Sequence, residues 1–182
     1  MSELKNAFDL SEVTSPPTKE HPRDADNEAL DRPCILVGHD FTPASREAMW
    51  QGAVEASERG GSLLLVHVSY IPPMGPGLWL DHGANVFLHD GMLEHVKARL
   101  DELAEDVRTM FPELPVDTVV LDGVPAKTLL QVAREVGADR IVVGTHGRSG
   151  LSHFLLGSVA GELIRTAPVP VLVVPNPEEP AK

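Results

Sequence analysis

The sequence predicts an α/β fold, a single domain built on an open, parallel five-stranded sheet in the order 3-2-1-4-5 with helices on both faces. Short apolar runs rich in Val, Ile and Leu recur between Cys34 and Val174 and alternate with stretches long enough for helices, as crossover-connected parallel strands require. The runs are continuously apolar, which marks strands buried on both faces. Two segments suited to a ligand, Asp40 and the glycine-bearing stretch from Gly144 to Ser158, each follow such a run. They can share a ligand only if strands one and four are neighbours, and the order 3-2-1-4-5 has its topological switch point between those two strands.

Strand one is expected over Cys34–His39, ending in Asp40. Thr42 then has the character of an N-cap with Pro43 at the first helical position, and the helix runs to about Arg59 before Gly60-Gly61 stops it. Strand two is Ser62–Ser69. Within it His67 alternates with apolar positions, as a core histidine does. Residues 70–84 carry Pro72-Pro73, Gly75-Pro76-Gly77 and Trp79 and predict a long loop of the kind that often forms a lid.

The second helix has the clearest stripe, with Leu93, Val96, Leu100, Leu103, Val107 and Met110 three and four residues apart. His82, His89 and His95 cluster in and before it, at spacings of seven and six. Those spacings set no two of them at i, i+3 or i+4, where neighbouring turns of a helix could offer both rings to one ion, which argues against a metal site. Strand three is Val116–Leu121, followed by Asp122-Gly123, and Pro125 opens a third helix carrying Leu129, Val132, Ala133 and Val136 that Gly137 ends. Strand four is Arg140–Val143. A fourth helix runs from Ser158 to about Thr166, and strand five is Val169–Val174, stopped by Pro175.

The chain has 182 residues, 42% of them hydrophobic, enough for one domain with a real core. Residues 1–32 are charged, rich in Ser, Thr and Pro and poor in large apolar groups, so a disordered arm is expected there; 176–182 is a short polar tail. A formal charge of −12 opposes binding to nucleic acid or to an anionic membrane, both of which need a basic face. With Cys34 as the only cysteine, no intrachain disulfide or Cys-rich metal site is possible. Neither a leader nor a membrane-length apolar stretch is evident, so the chain reads as cytoplasmic.

Between Gly144 and Ser158 the glycines stand at G-x2-G-x9-G, with a serine directly after the last. Glycines let a backbone approach a ligand with its N–H groups free, and Gly157-Ser158 opens a helix whose first amides lack intrahelical partners. Such an end attracts phosphate. Here the chain resembles the ATP-binding branch of the universal stress protein family, whose signature G-2x-G-9x-G-[S/T] is met by Gly144, Gly147, Gly157 and Ser158. Arg148-Ser149-Gly150-Leu151 is similar to the family's usual filler, and the resemblance spans Pro33–Pro175.

The resemblance implies a Rossmann-like domain over residues 33–175, of the adenine nucleotide alpha hydrolase type, binding ATP with Mg²⁺ or Mn²⁺. Asp40 and Val68 would hold the nucleoside, and the amides of Gly147, Gly157, Ser158 and Val159 the phosphates. Gly144, Thr145 and His146 complete the approach to the phosphate loop. The Ser158 hydroxyl and the Arg148 guanidinium are further phosphate donors. His153 stands where the family often has arginine, a change that would weaken phosphate affinity at neutral pH if the position touches the ligand. The resemblance also implies a homodimer through strand five, antiparallel about a two-fold axis.

The function expected is a nucleotide-dependent regulator of the stress response, with at most slow ATP hydrolysis or autophosphorylation and no nameable catalytic residue. A dimeric interaction protein that binds AMP or no nucleotide is the alternative, and its nucleotide-free form would predict loss of the glycine motif. Other enzyme classes lack their marks: there is no G-x4-G-K-[S/T], no Ser-Gly-Gly loop after strand one, and no G-x-G-x-x-G.

Overall fold

The computed structural model describes residues 32–70, 82–145 and 156–176, with the backbone alone for 82–92. In chain order the elements are β1 (Cys34–Gly38), α1 (Pro43–Glu58), β2 (Ser62–Ser69), α2 (His82–Met110), β3 (Val116–Asp122), α3 (Pro125–Glu135), β4 (Arg140–Gly144), α4 (Ser158–Thr166) and β5 (Val171–Val174). The strands form one parallel sheet in the order β3-β2-β1-β4-β5, as the sequence predicts.

The two faces of the sheet are sorted by the strand period of two. Ile35 and Val37 of β1 point to one layer with Leu63, Leu65 and Val142, covered by Ala48, Met49 and Ala53 of α1 and Leu100, Leu103 and Val107 of α2. Leu36 points to the other, with Val66, Ile141 and Val143, under Leu129, Leu130 and Ala133 of α3 and Ala160 and Leu163 of α4. Full burial of each large aliphatic chain stabilises by about 1.5–3 kcal/mol relative to exposure, which is what anchors these helices.

Local chemistry sets the helix ends. Thr42 caps α1 in a reciprocal box with Ser45, and Pro43 occupies the first turn. Gly137, one residue past the Val136 cap of α3, takes φ 63°, the left-handed conformation that suits glycine at a helix stop.

Several boundaries differ from the sequence expectation. β1 stops at Gly38, because His39 and the residues after it turn into α1, while β3 and β4 each run one residue further than expected. α2 begins at His82, inside the stretch expected to be loop. β5 begins at Val171, two residues late: Pro170 has no N–H to give and contributes only its carbonyl, which accepts from Ile141 N at 3.1 Å. Residues 1–31 of the expected arm, 71–81 of the loop, and 177–182 lie outside the described residues.

α2 is fastened along the β3 edge. Arg108 Nη2 donates to the Val116 carbonyl at 2.6 Å, and Lys97 Nζ donates to Asp101 Oδ1 at 2.6 Å and to Thr118 Oγ1 at 2.9 Å. Among the described residues no strand pairs with the outer side of β5.

Candidate functional site

β1 and β4 run side by side in the register Gly38↔Val143, so the segments leaving their carboxyl ends meet on one rim. This is the switch point of the sheet, where open α/β folds form a crevice.

The β1 side of the rim is the turn from His39 to Thr42, and each of its four amides has an acceptor. His39 N donates to Val66 O at 2.8 Å, Asp40 N to Ser45 Oγ at 3.3 Å, Phe41 N to His39 Nδ1 at 3.2 Å, and Thr42 N to Asp40 Oδ1 at 3.1 Å. Asp40 Oδ1 also accepts from the Thr42 hydroxyl at 2.6 Å. The carboxylate is thus tied to the cap of α1. Phe41 takes φ 65°, a left-handed conformation that costs a non-glycine residue about 1–2 kcal/mol and persists only where the surroundings hold it.

Those surroundings are a buried cluster of rings. His39 is 3% exposed and His67 5%. Phe41 contacts both, at ring-centroid distances of 5.1 and 4.9 Å, and the Arg99 guanidinium of α2 lies 4.6 Å from the Phe41 centroid. His67 Nδ1 lies 2.7 Å from the His39 carbonyl, which can only accept, so the proton of His67 is on Nδ1. His39 Nδ1 accepts from Phe41, so neutral His39 carries its proton on Nε2. That atom is buried and has no hydrogen-bond partner among the described residues. Burial pushes the His39 pKa down to about 4; Asp40 opposes the shift, while His67, Arg46 and Arg99 add to it.

On the β4 side, the chain leaves at Thr145 and returns at Gly157. Thr145 N donates to Val174 O at 2.8 Å, and Gly157 N donates to Thr145 O at 2.7 Å, which ties the start of α4 to the end of β4. Gly157 is the N-cap of α4 at φ −55° and offers no side-chain cap, and the first turn carries no acidic residue. The positive end of the helix is therefore not neutralised by its own side chains. Thr145 Oγ1, buried beside it, has no partner among the described residues.

Gly144 is where the two sides touch. A Cβ on it would stand 2.8 Å from Ala44 Cβ, 2.9 Å from Ala44 C and 3.0 Å from Ser45 N. The first turn of α1 thus packs directly on the end of β4, which a side chain would prevent.

Of the residues singled out in the sequence, Asp40, Gly144, Thr145, Gly157, Ser158 and Val159 line up along the rim of β1 and β4, and Val68 is the last residue but one of β2, opposite Leu121 of β3 and half-buried against the α3 and α4 layer. His146, Gly147, Arg148 and His153 lie outside the described residues. The amide of Gly157, expected at a phosphate, is committed to Thr145 O, which leaves the amides of Ser158 and Val159 as the donors of this turn. His39 and Arg99 were missed by the sequence reading. The only signal was a polar residue closing an apolar strand directly before the aspartate. Among the described residues no group of three or more His, Cys, Asp or Glu side chains could hold a metal ion. Among them, too, no helix is long and apolar enough to cross a membrane.

The family model described as the universal stress protein family matches residues 34–175. A universal stress protein of Mycolicibacterium smegmatis is 35% identical over 144 residues, covering 77% of this chain and 45% of that protein. The chain spans about half the length of such mycobacterial relatives. A universal stress protein of Methanocaldococcus jannaschii is 41% identical over 151 residues, covering 80% of this chain and 83% of that one. Among solved structures, a universal stress protein in complex with cAMP matches with a TM-score of 0.57 and 23% identity, covering 78% of this chain and 96% of that chain.

Proposed function

The chain belongs to the universal stress protein family, and on that premise we propose that it is an ATP-binding member acting as a nucleotide-dependent regulator of the stress response. The observation that carries this is the juncture of the two rims. α4 begins without a side-chain cap after β4, the strand that neighbours β1 at the switch point, and the glycine spacing from Gly144 to Ser158 supports reading that helix end as a phosphate site. Anionic oxygens at the α4 end meet the Ser158 and Val159 amides and the positive helix end, with the Thr145 hydroxyl as a further donor. Asp40 and Val68 are proposed to hold the ribose and base. A protein of the same fold holds cAMP, an adenine nucleotide, in its crystal.

ATP would enter with Mg²⁺ on its phosphate oxygens, which neutralises charge that an acidic chain repels. The Gly147 amide and the Arg148 guanidinium are proposed as further phosphate donors, with His146 beside them. The active form is proposed to be a homodimer in which the outer edge of β5 pairs with its own copy, since a bare apolar edge is otherwise an aggregation hazard. Slow hydrolysis or autophosphorylation is compatible with this site, with binding rather than turnover as the signal.

Acid extraction of the purified chain, followed by chromatography of the released nucleotide, tests the reading, together with calorimetric titration with Mg-ATP. Co-purified ATP, or saturable binding of Mg-ATP, is the expected result. AMP alone, or no nucleotide and no binding, would replace this reading with that of a dimeric interaction protein.

A further inference from the structure

We infer that His39 is a positioning residue for Asp40: through Nδ1 it holds the left-handed turn at Phe41 that presents the Asp40 carboxylate to the rim between β1 and β4. The inference deepens the nucleotide reading and rests on it. It starts from the accounting of the turn. Three of the four amides from His39 to Thr42 find oxygen acceptors, and only Phe41 N uses a ring nitrogen, His39 Nδ1 at 3.2 Å. His67, by donating to the His39 carbonyl at 2.7 Å, fixes that peptide from the β2 side. Phe41 is then gripped from three elements: by the His39 ring of its own turn, by His67 of β2, and by the Arg99 guanidinium of α2.

Asp40 sits between the two residues so joined. Its Oδ1 is held by the Thr42 amide and hydroxyl, so any swing of Phe41 back to negative φ drags the carboxylate and the α1 cap together. The acceptor exists only while His39 is neutral, because a proton on Nδ1 would face the Phe41 N–H. The described charged groups around it divide. Asp40 of the same turn favours the proton, whereas Arg46 of α1, His67 of β2 and Arg99 of α2 oppose it, and burial outweighs all of them. The cluster therefore keeps Nδ1 available as an acceptor at neutral pH.

Substitution separates the acceptor from the bulk of the ring. An asparagine at 39 places its amide oxygen where Nδ1 stands, whereas leucine fills similar space with no lone pair. Mg-ATP titration of the full chain at neutral pH should show affinity within about threefold of wild type for His39→Asn, and a loss of about tenfold or more for His39→Leu. Because His39 acts through Asp40, Asp40→Asn should cost much less in the His39→Leu background than in wild type; a plain structural defect would make the two losses add.

A ligand-free readout runs beside this one. The ¹³C resonance of the Asp40 carboxyl should be unmoved by His39→Asn and displaced by His39→Leu. Should the leucine variant fail to fold, His39→Gln, whose amide reaches the Nε2 position instead, makes the same comparison. An Asp40 resonance indifferent to all of these, or additive losses of affinity, overturns the positioning role. A wild-type chain that ignores Mg-ATP while its Asp40 resonance still responds to His39→Leu overturns the nucleotide reading and supports the positioning role.

Discussion

Replacing Gly144 with alanine should weaken the fold and the nucleotide site together, since the contact it crowds joins the two sides of the rim. The added Cβ would stand 2.8 Å from Ala44 Cβ and 2.9 Å from Ala44 C, against ordinary contacts of 3.4–4 Å. Ala44 is 2% exposed and has no flexible end to swing aside, so the first turn of α1 must itself retreat. Overpacking of this kind costs about 1–3 kcal/mol. The stiffer unfolded chain of alanine returns about 0.4–1 kcal/mol, leaving a net loss of about 1.3 kcal/mol at mid-range and about 2.6 kcal/mol at most. At roughly 2–4 °C per kcal/mol for a chain of this size, the mid-range loss should lower the unfolding midpoint by about 3–5 °C in differential scanning calorimetry. The retreat also moves Thr42, and with it Asp40, so Mg-ATP affinity should fall. Gly137→Ala is the control: nothing lies within 4 Å of its Cβ, and its cost is the left-handed φ alone. A Gly144→Ala chain with an unchanged midpoint, or with Mg-ATP affinity equal to that of the control, would mean that the contact between α1 and β4 does not couple the fold to the site.

Gly157→Val should abolish Mg-ATP binding in a chain that still folds, because its φ of −55° suits any residue while the branched side chain obstructs the α4 end; calorimetric titration with undiminished affinity would remove that helix end from the site. A chain beginning at Arg32 should bind Mg-ATP as the full chain does, and a large loss would mean that residues 1–31 cover the ligand. Val173→Lys, which sets like charges close together across the proposed β5 pairing, should weaken self-association at least about tenfold by light scattering, or about 1.4 kcal/mol; a wild-type mass of one chain would exclude β5 as an interface. His39 titrates near pH 6.5 when unfolded and is pushed down to about 4 in the fold, so between those values the unfolded chain binds more protons. Its contribution is complete above pH 6.5 and is lost as the pH falls through 4. Urea unfolding at pH 4.5 against pH 7 should show about 2–3 kcal/mol of acid destabilisation that His39→Asn lacks, and equal pH dependence in both chains would contradict the buried, neutral assignment.

The features legible in the chain alone are those that neighbours along it decide. The apolar runs at Cys34, Ser62, Val116 and Arg140 start strands where expected, and Thr42-Pro43 starts α1, because side-chain alternation and capping act within a few residues. Even the adjacency of strands one and four was legible, from the two ligand-suited segments that follow them, while the full order 3-2-1-4-5 came with the family resemblance. The tertiary structure alone decided how the rim is held. Gly144 reads as a ligand-facing glycine, yet its Cβ position is occupied by α1, a contact that exists only once β4 lies against β1. Gly157 reads as a phosphate donor, yet its amide meets Thr145 O at the end of β4. His67 reads as a core histidine with one hydrogen bond, but only the pairing of β1 with β2 shows that its partner is the His39 carbonyl, 28 residues away in the chain. β5 loses Val169 and Pro170 for a similar reason, because ladder pairing needs an N–H at a given register and proline has none. Spacing along a chain encodes which face a residue takes, whereas the partner across that face belongs to another segment and is set by the packing of the whole.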